Sequence, residues 1–296
     1  MHEGQLPIDT DLVQRLVAEQ FPAYAQRFVT PFRSAGTVNA IFRLGDDLSV
    51  RLPLKPDWIG DLDREWTWLP RLAPGLTLEI PEPVGRGRPS LGYPLPWAIY
   101  RWIEGQPYAD GLVDDETRAA ADLAQFVSEL RRAAPIEGAP VAGRRPLREL
   151  DEGTRAAIDA AATAVDRDRA TAAWELALQA RPWSGPPVWI HTDLLRPNLL
   201  VAGGRLRAVI DFGGAGVGDP AADVIPAWTV FGPTGRAVFR AALEVDDDTW
   251  HRARGFALHQ AAVIIPYYSD TNPPMAAQAV RTVEQVLADL DAGSLP

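Results

Sequence analysis

Between Asn198 and Asp211 the sequence reads NLLVAGGRLRAVID, two short apolar runs of β character on either side of Gly203-Gly204. A glycine pair at that point supplies the positive-φ backbone of a tight hairpin turn, so the runs are predicted to pair as antiparallel strands. The surroundings make this a strong constraint. Residues 113–134, 149–180, 234–243, 248–265 and 275–291 all carry helical spacing, much of it alanine-rich. The hairpin is therefore embedded in a helical region, and folding it brings Asn198, before its first strand, next to Asp211, which closes its second.

The first hundred residues have a different texture. A helix is expected over 9–27, with Leu12, Leu16 and Val17 on one side and Asp9 or Thr10 as its cap. The runs FVTPF, NAIFRLG and LSVRLP follow as strands, separated at Gly36 and at the Gly45-Asp46-Asp47 turn. Residues 61–73 read as a helix ending near Pro70 or Pro74. Pro81 to Pro96 is predicted to be loop and edge strand, and WAIYRWIEG (97–105) an apolar strand that stops at Gly105. This order predicts an α+β chain of two lobes, a β-rich one over 1–100 and a mainly helical one over 101–296, with a hinge at about 100–105.

Composition narrows the partners. The formal charge is 29 − 39 = −10, which disfavours nucleic acid and anionic membranes and favours a cationic small molecule. There is no cysteine, so thiol nucleophiles, disulfides and cysteine metal sites are excluded. No secretory signal is visible at the N-terminus and no apolar run approaches about 18 residues, so the expected setting is cytoplasmic. Lys55 is the one lysine, against 28 arginines.

The hairpin ends carry chemistry. Asn198 and Asp211 together present two hard oxygen donors, which suits Mg²⁺, an ion that takes few protein ligands and leaves the rest to phosphate and water. Asp193, a few residues before Asn198, is placed to orient an attacking hydroxyl and accept its proton. That assembly suits phosphoryl transfer, where the protein mainly positions groups and neutralises charge.

In IHTDLLRPNLLV, followed by AVIDFGGAGVGDPAADV, the His191-Thr-Asp193-x4-Asn198 loop and the Asp211-Phe-Gly strand end resemble the protein-kinase-like fold, and the aminoglycoside phosphotransferase family in particular. SAGTVNAIFRLG, SVRLP, the helix with Glu65 and PWAIYRWIEG extend the resemblance over about residues 30–230. It implies Asp193 as catalytic base, Asn198 and Asp211 as Mg²⁺ ligands, and His191, Asp219 and Asp223 as braces. It also implies that Arg51 binds phosphate and pairs with Glu65, with Asp61 and Asp63 as alternative partners. The turn carrying Ser34, Gly36, Thr37 and Asn39 covers the phosphates, and the backbone of Tyr100, Arg101, Trp102 and Ile103 holds the purine of ATP or GTP.

Three positions depart from the pattern. Arg51 stands where protein kinases place a lysine, and its fork can serve carboxylate and phosphate alike. Thr192 replaces a more usual glycine, and Pro197 directly precedes the asparagine. The expected activity is O-phosphorylation of a small hydroxyl-bearing acceptor, an aminoglycoside or macrolide first, by a monomer or homodimer. A kinase of a metabolite alcohol and a regulatory pseudokinase are the alternatives. The acidic run Glu244 to Asp248 is read as a solvated helix start, and Trp228, Phe231, Tyr267 and Tyr268 as core packing.

Overall fold

The computed structural model describes residues 6–32, 38–133 and 137–293. Helix α1 (Thr10–Gln20) begins where Asp9 accepts a hydrogen bond from Leu12 N at 2.8 Å and stops at Phe21-Pro22, earlier than its spacing predicts. The β-like runs form β1 (Val29–Phe32), β2 (Asn39–Leu44) and β3 (Leu48–Pro53). Proline and glycine confine β4 (Pro83–Gly87) to an edge, and β5 (Trp97–Arg101) ends short of the predicted Gly105. The antiparallel order is β1-β2-β3-β5-β4. Val13, Leu16 and Val17 of α1 bury one face of this sheet together with Val50, Leu52, Trp97 and Ile99.

Helix α2 (Ile59–Leu72) crosses behind the sheet and contains Pro70. A proline there removes only the bond to the Trp66 carbonyl in the last turn, so the helix runs two residues past it. Its apolar side, Leu62, Trp68, Leu69 and Leu72, packs into the large core of the helical part, not into the sheet's own cluster.

Beyond β5 come β6 (Gln106–Pro107), α3 (Glu116–Arg131), α4 (Leu147–Ala160) and α5 (Arg167–Ala177). The helical stretch 149–180 thus resolves into two helices, because Asp166 caps a new start by accepting from Arg169 N at 3.1 Å. Strand β7 (Val188–Ile190) precedes the hairpin, formed by β8 (Leu199–Ala202) and β9 (Arg205–Val209). Gly203 and Gly204 take φ of 56° and 73° between them.

A further strand, β10 (Gly216–Gly218), pairs back onto β7. The Pro140–Ala142 segment lies along β10: Val217 N donates to Pro140 O at 2.8 Å, and Ala142 N to Val217 O at 3.0 Å. A Cβ on Gly216 would stand 2.3 Å from the Pro140 carbonyl oxygen, so only glycine admits this approach. The chain ends with α6 (Pro226–Thr229), α7 (Pro233–Leu243), α8 (Asp247–Tyr268) and α9 (Pro273–Gly293). Among the described residues no helix is long and apolar enough to cross a membrane.

Helix α8 runs through the middle of this helical part, and His259 ties it to α4. Thr154 spends its hydroxyl proton on Leu150 O at 2.7 Å, so the His259 Nδ1–H donates to Thr154 Oγ1 at 2.8 Å. Burial, and then Arg144 and Arg145, push the His259 imidazole down to about 4 from 6.5. The native state therefore keeps His259 neutral between those values while the unfolded chain binds a proton, so stability is lost as pH falls from about 6.5 to about 4. Unfolding free energies from denaturant titration at pH 7.5 and 5 should differ more in the wild type than in His259→Gln, by about 1 kcal/mol given the ring's partial exposure. Equal pH dependence in both proteins would contradict this assignment.

Candidate active site

The loop leaving β7 is held by one buried carboxylate. Asp223 accepts from His191 N at 2.6 Å and from Thr192 N at 2.8 Å. Burial raises its pKa, against His191, these two amides and Arg131. His191 is itself buried. Its Nε2 lies 3.0 Å from Ile210 O, and its Nδ1 accepts from Asp193 N at 3.2 Å, so the ring carries its proton on Nε2. It thereby links the loop to the end of the hairpin. Asp219 caps the turn over Pro220–Asp223 and forms a two-point pair with Arg252, at 2.8 and 3.0 Å.

Asp193 and Asn198 face each other across the loop. Asn198 Nδ2 donates to the Asp193 carbonyl and to Asp193 Oδ2, each at 2.9 Å. That orientation turns Asn198 Oδ1 away from Asp193. Ile210 N donates to Asn198 O at 2.9 Å, which brings the start and finish of the hairpin together. Asp211 follows with φ of 70°. Among the described residues no hydrogen bond reaches Asn198 Oδ1 or the Asp211 carboxylate. An amide oxygen and a carboxylate that accept no hydrogen bond among the described residues are the donor types a hard cation such as Mg²⁺ takes, with open positions left for phosphate and water.

The opposite wall is built on Glu65. Its Oε2 accepts from Arg51 Nη1 at 2.9 Å and from the Tyr100 hydroxyl at 2.8 Å, and its Oε1 accepts from Phe212 N at 2.9 Å. Glu65 is 4% exposed, yet every one of these partners is a donor. Burial works against the Arg51 charge, but Glu65, with Tyr100 and Asp211 behind it, raises its pKa above the ordinary value. The guanidinium also lies over the Tyr100 ring, 5.0 Å from its centre. Lys55 instead sits over Trp58 at 5.8 Å, and Asp63 pairs with Arg86, so neither takes part.

Asn39 opens β2 opposite Pro53 and, by strand alternation, shares the sheet face of Ile41 and Arg51. Ser34, Gly36 and Thr37 lie outside the described residues. In the stretch from Tyr100 to Ile103, Arg101 N donates to Glu82 O and Trp102 N to Asp47 O, both at 2.9 Å, and among the described residues Ile103 N has no backbone partner. The acidic run lies at the far end of α8. Asp246 caps the helix, while Asp247 pairs with Arg240 and Asp248 with Arg181. Trp228 and Phe231 are fully buried, whereas Tyr267 is 61% exposed and so is not core.

Two neighbours of the site, Gln260 and Arg144, have no motif to announce them. Gln260 Nε2 donates to Asp193 Oδ1 at 3.2 Å, and Arg144 Nη2 donates to Gln260 Oε1 at 2.7 Å. Asp61, one turn before Glu65, stands against Gly213, and its pKa is raised by burial and by Asp211 and Glu65, against Arg64 and Arg51.

The sequence profile of the phosphotransferase enzyme family matches residues 29–256, which include every described residue of this constellation except Gln260. No curated protein sequence matches the chain. Among solved structures, the GDP and kanamycin complex of APH(2'')-IIIa superposes with a TM-score of 0.73 at 23% identity, over 94% of this chain and 98% of that one. The streptomycin–ATP complex of APH(2'')-IIa gives 0.60 at 16%, over 95% and 97%. The macrolide 2'-phosphotransferase MphH from Brachybacterium faecium gives 0.59 at 22%, over 94% and 98%. The chain has the two-lobed, kinase-like α+β fold and belongs to the phosphotransferase enzyme family, a family of kinase-type enzymes.

Proposed function

We propose that this enzyme moves the γ-phosphoryl group of ATP or GTP to a hydroxyl of a small molecule, with an aminoglycoside- or macrolide-type antibiotic as the first candidate. One observation carries the reading: Asn198 Nδ2 is spent on Asp193, the hairpin brings Asp211 back toward Asn198, and among the described residues neither Asn198 Oδ1 nor the Asp211 carboxylate accepts a hydrogen bond. Solved relatives of the fold bear kanamycin, streptomycin or a macrolide 2'-phosphotransferase name, which supports the acceptor class.

Asp193 orients the acceptor hydroxyl and takes its proton as the oxygen attacks the γ-phosphorus. The bond from that phosphorus to the bridging oxygen breaks, and the nucleoside diphosphate leaves. Asn198 and Asp211 are the residues that hold Mg²⁺, which when bound neutralises charge on the phosphate oxygens. Arg51, paired with Glu65, contacts the phosphates from the sheet side, joined by Asn39 on the same sheet face. The purine edge meets the Tyr100–Ile103 stretch, where Ile103 N has no backbone partner among the described residues.

A second acceptor class, a metabolite alcohol such as an amino alcohol or sugar, is favoured by one specific feature. Asp246 is spent on capping, and Asp247 and Asp248 each pair with an arginine, so this run offers a polycationic ring system fewer open carboxylates than its sequence suggests.

Mg²⁺ with ATP or GTP is expected to raise Tm by about 5 °C at a hundredfold excess over Kd. Asp211→Ala should shrink that shift, and a wild type indifferent to every nucleotide would remove the kinase reading. Asp193→Asn should keep the nucleotide-induced shift while turnover falls about 10²- to 10⁴-fold. Diphosphate release across aminoglycosides, macrolides and metabolite alcohols measures that turnover, and a largely active Asp193→Asn would rule out Asp193 as the base.

A further inference from the structure

Asp193 is gripped at both carboxylate oxygens. The loop holds Oδ2 through Asn198, and α8 holds Oδ1 through Gln260. A glutamine amide has a donor end and an acceptor end of nearly equal shape, so something has to decide which one faces the carboxylate. Arg144 decides it. Its guanidinium has donors only, and Nη2 lies 2.7 Å from Gln260 Oε1, so the amide oxygen is committed to Arg144 and the NH₂ end to Asp193. The reversed amide would set N–H against N–H on one side and oxygen against carboxylate on the other.

Arg144 is itself placed by backbone. The Pro140–Ala142 segment is pinned along β10 by its two bonds to Val217, and Gly216 is what lets it approach. Two residues later the side chain enters the site. Its Nε is buried with no hydrogen-bond partner, and among the described residues Arg144 forms no ion pair. The carboxylates whose charges act on it are Asp193 and Asp223. A buried arginine that spends its geometry on a neutral amide, within the field of a carboxylate it does not touch, is costly unless the amide's orientation matters.

We infer that Arg144 and Gln260 form a positioning relay that fixes the Asp193 carboxylate for proton acceptance, with Gln260 as the contact and Arg144 as the group that sets its polarity. The inference rests on the reading of Asp193 as the base. It adds α8 and the segment before α4 to the elements that build the catalytic loop.

Gln260→Glu tests the relay because it is isosteric and keeps the Arg144 contact, now as an ion pair, while it turns an oxygen instead of an N–H toward Asp193. The expected result is an unchanged or higher Tm, nucleotide KM within about twofold, and kcat down about 10- to 100-fold. Arg144→Met should lower kcat in the same way, and Arg144→Lys, which retains a donor, should recover part of it. Diphosphate release is measured with Mg²⁺ and ATP or GTP, with kanamycin, erythromycin or water as acceptor. An acceptor-free readout is the Gln260 side-chain amide pair in ¹H–¹⁵N spectra, identified by its loss in Gln260→Leu, which should shift in both Arg144→Met and Asp193→Ala. If Asp193→Asn is inactive while Gln260→Glu and Arg144→Met turn over like wild type, the relay is wrong and the base reading stands. An amide signal indifferent to both partners overturns the relay as well. An active Asp193→Asn removes the base reading on which it depends.

Discussion

The carboxylate of Glu65 is the interaction on which the rest of the site depends. Two oxygens serve three donors from three places: Arg51 on β3, Tyr100 on β5 and the Phe212 amide after β9. A buried carboxylate with fewer partners is costly, and removing one member of such a pair typically loses about 3–5 kcal/mol. The three elements are therefore held to one arrangement, in which Arg51 faces the space next to Asp211. The arginine at this strand position suits the geometry. It gives one nitrogen to Glu65, lies over the Tyr100 ring, and keeps further donors for a phosphate.

The loop on the other wall is built on strain. Thr192 has φ of 78° and Asp211 of 70°, backbone conformations that cost side-chain-bearing residues about 1–3 kcal/mol each. Thr192 is the worse case because its Cβ is branched, which is why a glycine suits this position so well. Here the strain is offset by a carboxylate that accepts from two successive amides, His191 N and Thr192 N, and by Thr192 Oγ1 donating to Gly214 O at 3.3 Å. The second contact has its own requirement. A Cβ at position 214 would stand 2.7 Å from Thr192 Oγ1, so the glycine absent from the loop is matched by one that the hydroxyl needs across from it.

How much of this could be read beforehand follows from sequence separation. The hairpin that joins Asn198 to Asp211 is local, and its Gly-Gly turn, apolar runs and terminal polar residues all lie within one short stretch. The two lobes follow from texture, since β-like runs and helical spacing occupy separate parts of the chain. Glu65 could be named from its resemblance to family helices, but its choice over Asp61 and Asp63 needed the helix rotation that aims it at Arg51. Gln260 and Arg144 left no local trace. Gln260 meets Asp193 across 67 residues and Arg144 meets Gln260 across 116, so only the packing of α8 and β10 brings them in. The acidic run was legible for the same local reason: read as a helix start, it supplies Asp246 as the cap of α8 with Asp247 and Asp248 in the first turn.

The placement of α2 explains why these two walls act on one another. Its apolar face belongs to the large core of the helical part, alongside Phe212, while Glu65 reaches across to a strand of the sheet whose own core is separate. Apolar packing thus ties the helix mainly to the elements around the Asp-Phe-Gly turn, and Glu65 ties it to β3 through a charged pair backed by the Tyr100 hydroxyl. Apolar packing is non-directional and tolerates small slides, whereas a hydrogen-bonded ion pair fixes distance and angle. Bulk stability in this molecule thus comes from the core that α2 shares with the helices. The register between Arg51 and Asp211 comes from Glu65, so a substitution there can disturb the site while leaving both cores intact.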